Sequence, residues 1–250
     1  MNLDQRGPMI QRLRRRYAKE QFEPGWLGLF INPFYFARKG LFRHVSELAV
    51  HITGKTLDVG CGQKPYAHLC TSTAYVGLEL DTPENRSRTK ADVFYAGKSF
   101  PFKKAEFDSV ICNQVFEHVF TPDFFLKELY RVLKPKGTLL LTVPFAWDEH
   151  EQPVDFARYS SFGIAALLKR SGFEVIESRK SVDDVRAIIQ LLNGYLYKKT
   201  LSASPFLTIM TSIILMAPFN LFGSLLGMLL PRNSDLYLDN IILARKKQRE

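Results

Sequence analysis

The chain has 250 residues, enough for one well-packed α/β domain with additions rather than two full domains. It carries 34 Lys and Arg against 25 Asp and Glu, a formal net charge of +9, and three cysteines, Cys61, Cys70 and Cys112, without metal-ligand spacing. That cysteine usage excludes a disulfide-built scaffold and suits a reducing cytoplasm.

Residues 1–50 predict a basic, aromatic helical extension. Arg6, Arg12, Arg14, Arg15, Arg16 and Lys19 leave no room for an N-terminal secretory signal, and the apolar, aromatic run Phe22 to Phe36 follows at once. Aromatic and aliphatic residues beside arginines make an interfacial membrane anchor. Lys-Thr-Leu-Asp-Val-Gly-Cys-Gly, residues 55–62, is an apolar strand running into a glycine turn, where backbone can approach a flat polar ligand closely. Ala74 to Leu80 reads as a second strand, with Glu79 near its carboxyl end, placed to accept both ribose hydroxyls of a nucleoside, and Asp81 just beyond. Ala91-Asp92-Val93 reads as a brief third strand with Asp92 at its tip. Phe107 to Asn113 is a fourth, ending in Asn113-Gln114. A helix over 121–133 follows, with Thr121 as cap and Pro122 at its first position. Lys134-Pro-Lys-Gly137 stops it, and 138–144 is a fifth strand. Ser160 or Ser161 caps a helix to Arg170, Gly172 ends it, and 173–178 is a sixth strand. This alternation predicts a doubly wound, mostly parallel sheet with ligands gathered at the strand carboxyl ends.

In order and spacing, Leu-Asp-Val-Gly-Cys-Gly, Val-Gly-Leu-Glu, Phe-Pro-Phe…Glu-Phe-Asp-Ser-Val, Phe-Glu-His-Val and Arg-Val-Leu-Lys-Pro-Lys-Gly resemble class I S-adenosylmethionine-dependent methyltransferases of the type 11 branch, over about residues 55–180. The resemblance implies a seven-stranded Rossmann-like fold and S-adenosyl-L-methionine as cofactor. Asp58 and Gly60 would face its methionine end, Cys61 would belong to the same cofactor-binding turn, Gly62 would pass beneath, and Glu79 would hold the ribose. Asp92 and Val93 would edge the adenine, with Asn113 and Gln114 flooring the methyl group. Lys64 stands where many members carry a third glycine, so the loop entering the first helix takes a different path. A nicotinamide dehydrogenase is the rival, but its fingerprint needs a small residue at position 65, which is Pro65. N-terminal extensions in this family also fold as lids, a second reading of residues 1–50.

Between strand six and the end, Leu201 to Pro231 holds no charged residue, within an apolar helical insertion over about 182–231. Residues 236–244 resemble the family's seventh strand, which must return to the same sheet, so the insertion enters and leaves by one face. Two helices, 206–217 and 219–230, hinged at Pro218 and each ~18 Å long, predict a re-entrant, monotopic hairpin reaching about halfway through a hydrocarbon core. A helical lid, an oligomer interface and a true span are the other readings. The last residues, Arg245 to Arg249, are basic; with the N-terminal run they point to an anionic membrane surface rather than nucleic acid.

Methyl transfer from a sulfonium rests mainly on alignment in a dry pocket, and a base near an oxygen acceptor's proton adds ~10²–10⁴-fold. Glu117-His118 offers one candidate. A related methyltransferase group binds a divalent ion through Glu-x-x-Glu-His, but Gln114 stands in for the first carboxylate, so no metal is expected and His118 reads as a structural residue or base. In the loop after strand five, His150 is the first choice of base, with Asp155, Arg158 and Tyr159 orienting the acceptor or Arg158 latching to Asp155. The prediction is a cytoplasm-facing methyltransferase, peripheral on the inner face of a membrane. Its acceptor would be an oxygen or carboxyl of a small-molecule, lipid-linked or envelope-glycan precursor. The alternatives are a quinone or lipid methyltransferase with a divalent metal at Glu117 and His118, and a non-catalytic cofactor-binding membrane scaffold.

Overall fold

The computed structural model describes residues 8–248, so Arg6 and Arg249 of the basic termini lie outside the described residues. In chain order the elements are α1 (Pro8–Phe22), α2 (Gly28–Ile31), α3 (Tyr35–Leu48), β1 (Thr53–Val59), β2 (Thr71–Leu80), α4 (Pro83–Arg88), β3 (Val93–Tyr95), β4 (Phe107–Asn113), α5 (Pro122–Val132), β5 (Leu133–Pro144), α6 (Ser161–Arg170), β6 (Phe173–Ser181), α7 (Val185–Thr200), α8 (Pro205–Thr211), α9 (Ala217–Leu229) and β7 (Asp239–Lys246). They form two compact units. An α/β unit holds Arg43–Ser181 and Leu238–Glu250; a helical unit holds Met1–Phe42 and Val182–Tyr237.

The α/β unit is built on a seven-stranded sheet of order β3-β2-β1-β4-β5-β7-β6. β1 to β5 run parallel, and β7 inserts antiparallel between β5 and β6. The central strands read as unbroken apolar runs because they are buried throughout: Leu139, Leu140 and Leu141 of β5 are each 0% exposed. Helix α5 forms because Phe125, Leu126, Leu129 and Val132 recur on one face, and that face packs into the core with Phe107, Val110 and Phe116. Ser160, not Ser161, caps α6 by accepting from Gly163 N at 3.2 Å. Thr121 makes no side-chain cap and contributes only its carbonyl, to Phe125 N at 3.1 Å.

Two expectations change here. No α-helix follows the glycine turn; residues 60–70 contain one 3-10 turn, Ala67–Leu69. The apolar insertion is not a hairpin hinged at Pro218: residues Phe206–Leu229 form one helix of 24 residues, about 36 Å long. Proline within a helix removes a hydrogen bond and clashes with the carbonyl four residues back. Here the turn before it, Ser212–Met216, is π-helical, which absorbs the misfit and lets the axis continue.

The helical unit joins the N-terminal extension to the insertion, instead of keeping them as separate additions. Its buried contacts are polar as much as apolar. Gln190 on α7 accepts from Phe36 N and Ala37 N, at 3.0 and 3.2 Å, and donates to Pro33 O at 2.9 Å. Those amides belong to the first turn of α3, which has no partner of its own for them. Asn220 on α9 donates to Leu29 O at 2.9 Å and accepts from Asn193 Nδ2 at 2.9 Å. Tyr35, Phe36 and Ile189 close a small apolar cluster around them. Replacing Asn220 by Leu leaves buried polar groups unpaired and should destabilise this unit by about 1–3 kcal/mol. Hydrogen exchange is the check: amides of α7 and α9 should exchange faster, and unchanged protection there would contradict the assignment.

Candidate functional site

The connections from β1 and β4 leave in opposite directions along the sheet, one to β2 and the other to β5. A crevice must open where neighbouring strands part in this way, at their carboxyl ends. Gly60 sits at its base with φ +68, and a Cβ there would meet Val115 Cγ2 at 2.2 Å, so only glycine allows the two loops to touch. A cavity of about 250 Å³ opens above, lined by Gly60, Glu79, Tyr95, Gly97, Val115 and His118 among others. Glu79 Oε1 accepts from Gly62 N at 2.7 Å, which ties the glycine turn to β2. Burial raises the Glu79 carboxyl above its usual range, opposed by the Gly62 and Leu80 amides. A Cβ added to Gly62 would point into open space.

Several predicted residues lie elsewhere. Asp58 is buried beneath the turn and accepts from Tyr75 Oη at 2.7 Å; burial pushes its carboxyl up to about 7. Cys61 packs over Gly77 of β2, and burial pushes its thiol up to about 12. Asp92 and Val93 do not edge the cavity. The third strand begins at Val93, paired with Leu78, so Asp92 lies at its amino end, where it accepts from Gly77 N and Lys64 Nζ at 2.7 and 2.5 Å. Against some desolvation, these donors hold the Asp92 carboxyl below its usual range. The residue replacing the third glycine is thus committed to this ion pair. The carboxyl end of β3 instead brings Tyr95, Gly97 and Lys98 to the cavity. Asn113 and Gln114 turn to Thr142, whose Oγ1 donates to Asn113 Oδ1 at 2.8 Å and accepts from Gln114 N at 3.1 Å. Val115 and His118 take the lining positions foreseen for them.

Beyond Val115 the chain makes a 3-10 turn, Phe116–His118, that buries Glu117 completely. The Glu117 carbonyl accepts from Phe156 N at 2.9 Å and Ala157 N at 3.2 Å, so this turn anchors the loop after β5. In that loop Asp155 takes both guanidinium nitrogens of Arg158 at 2.6 Å and the His150 amide at 2.9 Å. Arg158 also donates to Asp148 O at 2.9 Å. The acceptor-orienting role read for Asp155 and Arg158 is therefore corrected to a latch: their polar atoms are spent inside the loop. Tyr159 leans on Phe116, ring centroids 5.1 Å apart, at the edge of the core.

The latch brings His150 to His118, ring centroids 4.8 Å apart. Both direct Nε2 at Glu117 Oε1, each at 3.8 Å. Burial pushes the Glu117 carboxyl up to about 8, with Asp239 and Asp155 adding to the effect and Arg158 opposing it. Burial also lowers the His150 pKa, opposed by the Asp148 carbonyl and the Asp155 carboxylate. Glu117 and His118 were visible in sequence as a pair. The long-range arrival of His150, and the exposed aromatic rim of Phe120, Phe124 and Phe156 around the same cavity, were not.

Residues 57–141 match the family model for a methyltransferase domain. A Mycolicibacterium smegmatis protein named as a probable S-adenosylmethionine-dependent methyltransferase is 28% identical over 162 residues, 59% of this chain and 62% of its own length. An uncharacterised Methanocaldococcus jannaschii protein is 30% identical over 134 residues, 51% of this chain and 57% of its own. The chain thus spans about three fifths of these relatives' length. Among solved structures, an S-adenosylmethionine-dependent methyltransferase from Mesorhizobium loti superposes with TM-score 0.54 at 13% identity, over 84% of this chain and all of that one. The Haemonchus contortus phosphoethanolamine N-methyltransferase 2 gives TM-score 0.52 at 18% identity, over 93% of this chain and 60% of that one. Residues 57–141 form a methyltransferase domain of the S-adenosylmethionine-dependent kind.

In this methyltransferase domain the cavity fits the family's cofactor. Glu79 Oε1 is held by Gly62, which fixes the carboxylate in the cavity wall, and the space above Gly62 is one a side chain would fill. Loss of a charged hydrogen-bonding partner costs about 1.5–3 kcal/mol. Glu79→Ala should therefore weaken S-adenosylmethionine binding by ~10–150-fold in isothermal titration. The latch makes a second, pH-dependent prediction. The Arg158 guanidinium holds the Asp155 carboxyl at about 2, below its ordinary 3.8. A folded-state pKa below the unfolded one gives stability that is complete above the unfolded value and is lost as pH falls toward about 2. Wild type should melt above Asp155→Asn at pH 7, with a gap of about 1–3 kcal/mol that narrows below about pH 4; a gap independent of pH would contradict this.

Proposed function

We propose that the protein is a membrane-associated methyltransferase acting on an oxygen of an amphiphilic, lipid-linked acceptor, envelope-glycan precursors included. The observation that carries this reading is the juxtaposition at one cavity mouth of the Glu117, His118 and His150 cluster with the exposed rings of Phe120, Phe124 and Phe156. Phe120 is 77% exposed, and its ring lies 5.3 Å from that of Phe156. Such a rim is costly to leave in water and matches an acceptor that is apolar on one side and polar on the other.

When bound, S-adenosyl-L-methionine supplies a methyl group on a sulfonium centre, ready for in-line displacement. The chain's own part is to hold and exclude. Glu79 and the Gly60 turn fix one end of the cavity, Val115 presses on that turn, and the aromatic rim displaces water from an apolar acceptor. The histidine cluster receives the polar end, held in place by the Asp155–Arg158 latch.

The membrane part of the reading rests on the helical unit by itself. Its long helix buries Ala217, Asn220 and Gly223 and leaves Leu207, Ile214, Leu221, Phe222, Leu225 and Met228 exposed, a stripe at helical spacing. The unit also carries twelve Lys and Arg against six Asp and Glu. An apolar stripe in a basic unit binds the interface of anionic lipid without crossing it. Wild-type protein should float with vesicles containing anionic lipid, less so in high salt. Leu221→Glu combined with Leu225→Glu should weaken flotation by ~100-fold or more, since burying each leucine is worth about 1.5–3 kcal/mol. Wild type remaining with the unbound fraction would refute membrane association.

A further inference from the structure

Glu117, His118 and His150 offer ligand atoms that all lie within 4.8 Å of one another. We propose that they bind one divalent transition-metal ion of the zinc class, through Nε2 of His118, Nε2 of His150 and the Glu117 carboxylate.

Distance is the first argument. Each Nε2 stands 3.8 Å from the same Glu117 oxygen, too far for a hydrogen bond. Two ligands bound at about 2.1 Å can be at most ~4.2 Å apart, so both pairs can share an ion, and sub-ångström movement closes the cluster. The outer contacts of the imidazoles are the second. His118 Nδ1 lies 2.8 Å from Val154 O. His150 Nδ1 lies 3.2 Å from Asp155 Oδ2 and 3.3 Å from Asp148 O. Acceptors at Nδ1 put the ring hydrogen there and leave Nε2 with its lone pair, as carboxylates and carbonyls do behind metal-bound histidines. Arg158 Nη2, 3.4 Å from His150 Nδ1, is more tightly engaged by Asp155 and Asp148.

The third argument is independent of the histidines. Glu117 is 0% exposed, and no side chain donates a hydrogen bond to either carboxylate oxygen. An orphaned buried carboxyl is costly, and a bound cation relieves that cost. Two imidazoles and one carboxylate suit zinc and its first-row neighbours, while magnesium and calcium prefer oxygen throughout. Three protein ligands leave a coordination position open, as catalytic zinc sites do. His118 also lines the cavity. On the methyl-transfer reading proposed above, that open position takes an acceptor oxygen, and His150 serves as a ligand in place of a base. Gln114 spoke against a metal in the sequence; the fold supplies the missing donor from the loop after β5.

Untagged full-length protein, freed of metal with chelator and then of the chelator, is titrated with Zn²⁺ against a chromophoric competitor and separately with Co²⁺. We expect one equivalent of Zn²⁺ per chain and visible ligand-field bands with Co²⁺. Glu117→Gln and His150→Ala should each weaken Zn²⁺ binding by at least ~10-fold, while His68→Ala leaves it unchanged. No uptake by the wild type, or His150→Ala binding as tightly, would overturn the assignment. S-adenosylmethionine titration of the same metal-free samples reports separately on the methyltransferase reading and shows that the variants are folded. Zinc uptake without cofactor binding supports the metal site and removes the role given to it; cofactor binding without zinc uptake overturns the site alone.

Discussion

The contact between Gly60 and Val115 sets the geometry of everything around it. Strands β1 and β4 lie side by side, and their following loops must diverge, yet both have to supply the same cavity. A side chain at position 60 would drive Val115 away by more than an ångström. Its absence lets the β4 loop lie down on the β1 turn, and that posture aims His118 inward while Glu117 is driven under the surface. The glycine turn is therefore as much a packing device for the acceptor side as a cradle for the cofactor.

Electrostatic order in the site follows from which charges are satisfied locally. Asp155 and Arg158 neutralise each other within three residues, and Lys64 and Asp92 do the same across the β1 turn and the start of β3. Both pairs hold loops in place. Asp58 and Glu117 are among the buried acids that have no cation at hydrogen-bond distance. Tyr75 partly serves the first. No side chain among the described residues hydrogen-bonds the carboxylate of the second, which sets it apart in the domain.

Much of the fold was legible because parallel strands in a buried sheet write themselves as short apolar runs, and six of the seven were found within a few residues. The third was misplaced. Asp92 drew attention as an acid at a strand tip, although Val93, Phe94 and Tyr95 after it are the β-forming residues, and the two-residue error moved the expected adenine contacts off the cavity. The helix expected after the glycine turn is missing because residues 60–70 are punctuated by Gly62, Pro65 and a 3-10 turn. Local spacing identified Glu117-His118, but the meeting with His150 depends on a latch and on two backbone bonds to the Glu117 carbonyl, which no window of sequence displays. Pro218 was read as a hinge because proline usually breaks a helix; a π-turn is the other way for the chain to accommodate it.

The helical unit is assembled from the first forty-odd residues and from a segment lying between β6 and β7. Its N-terminal helices are made early, but Gln190 and Asn220, which satisfy their backbone, arrive some 150 residues later or more. The sheet waits as well, since β6 gains its place only through β7. Nearly the whole chain must leave the ribosome before either unit can close, with an apolar helix and a basic arm uncovered in the meantime. A nascent chain of that kind keeps an apolar surface in water until its last strand is made.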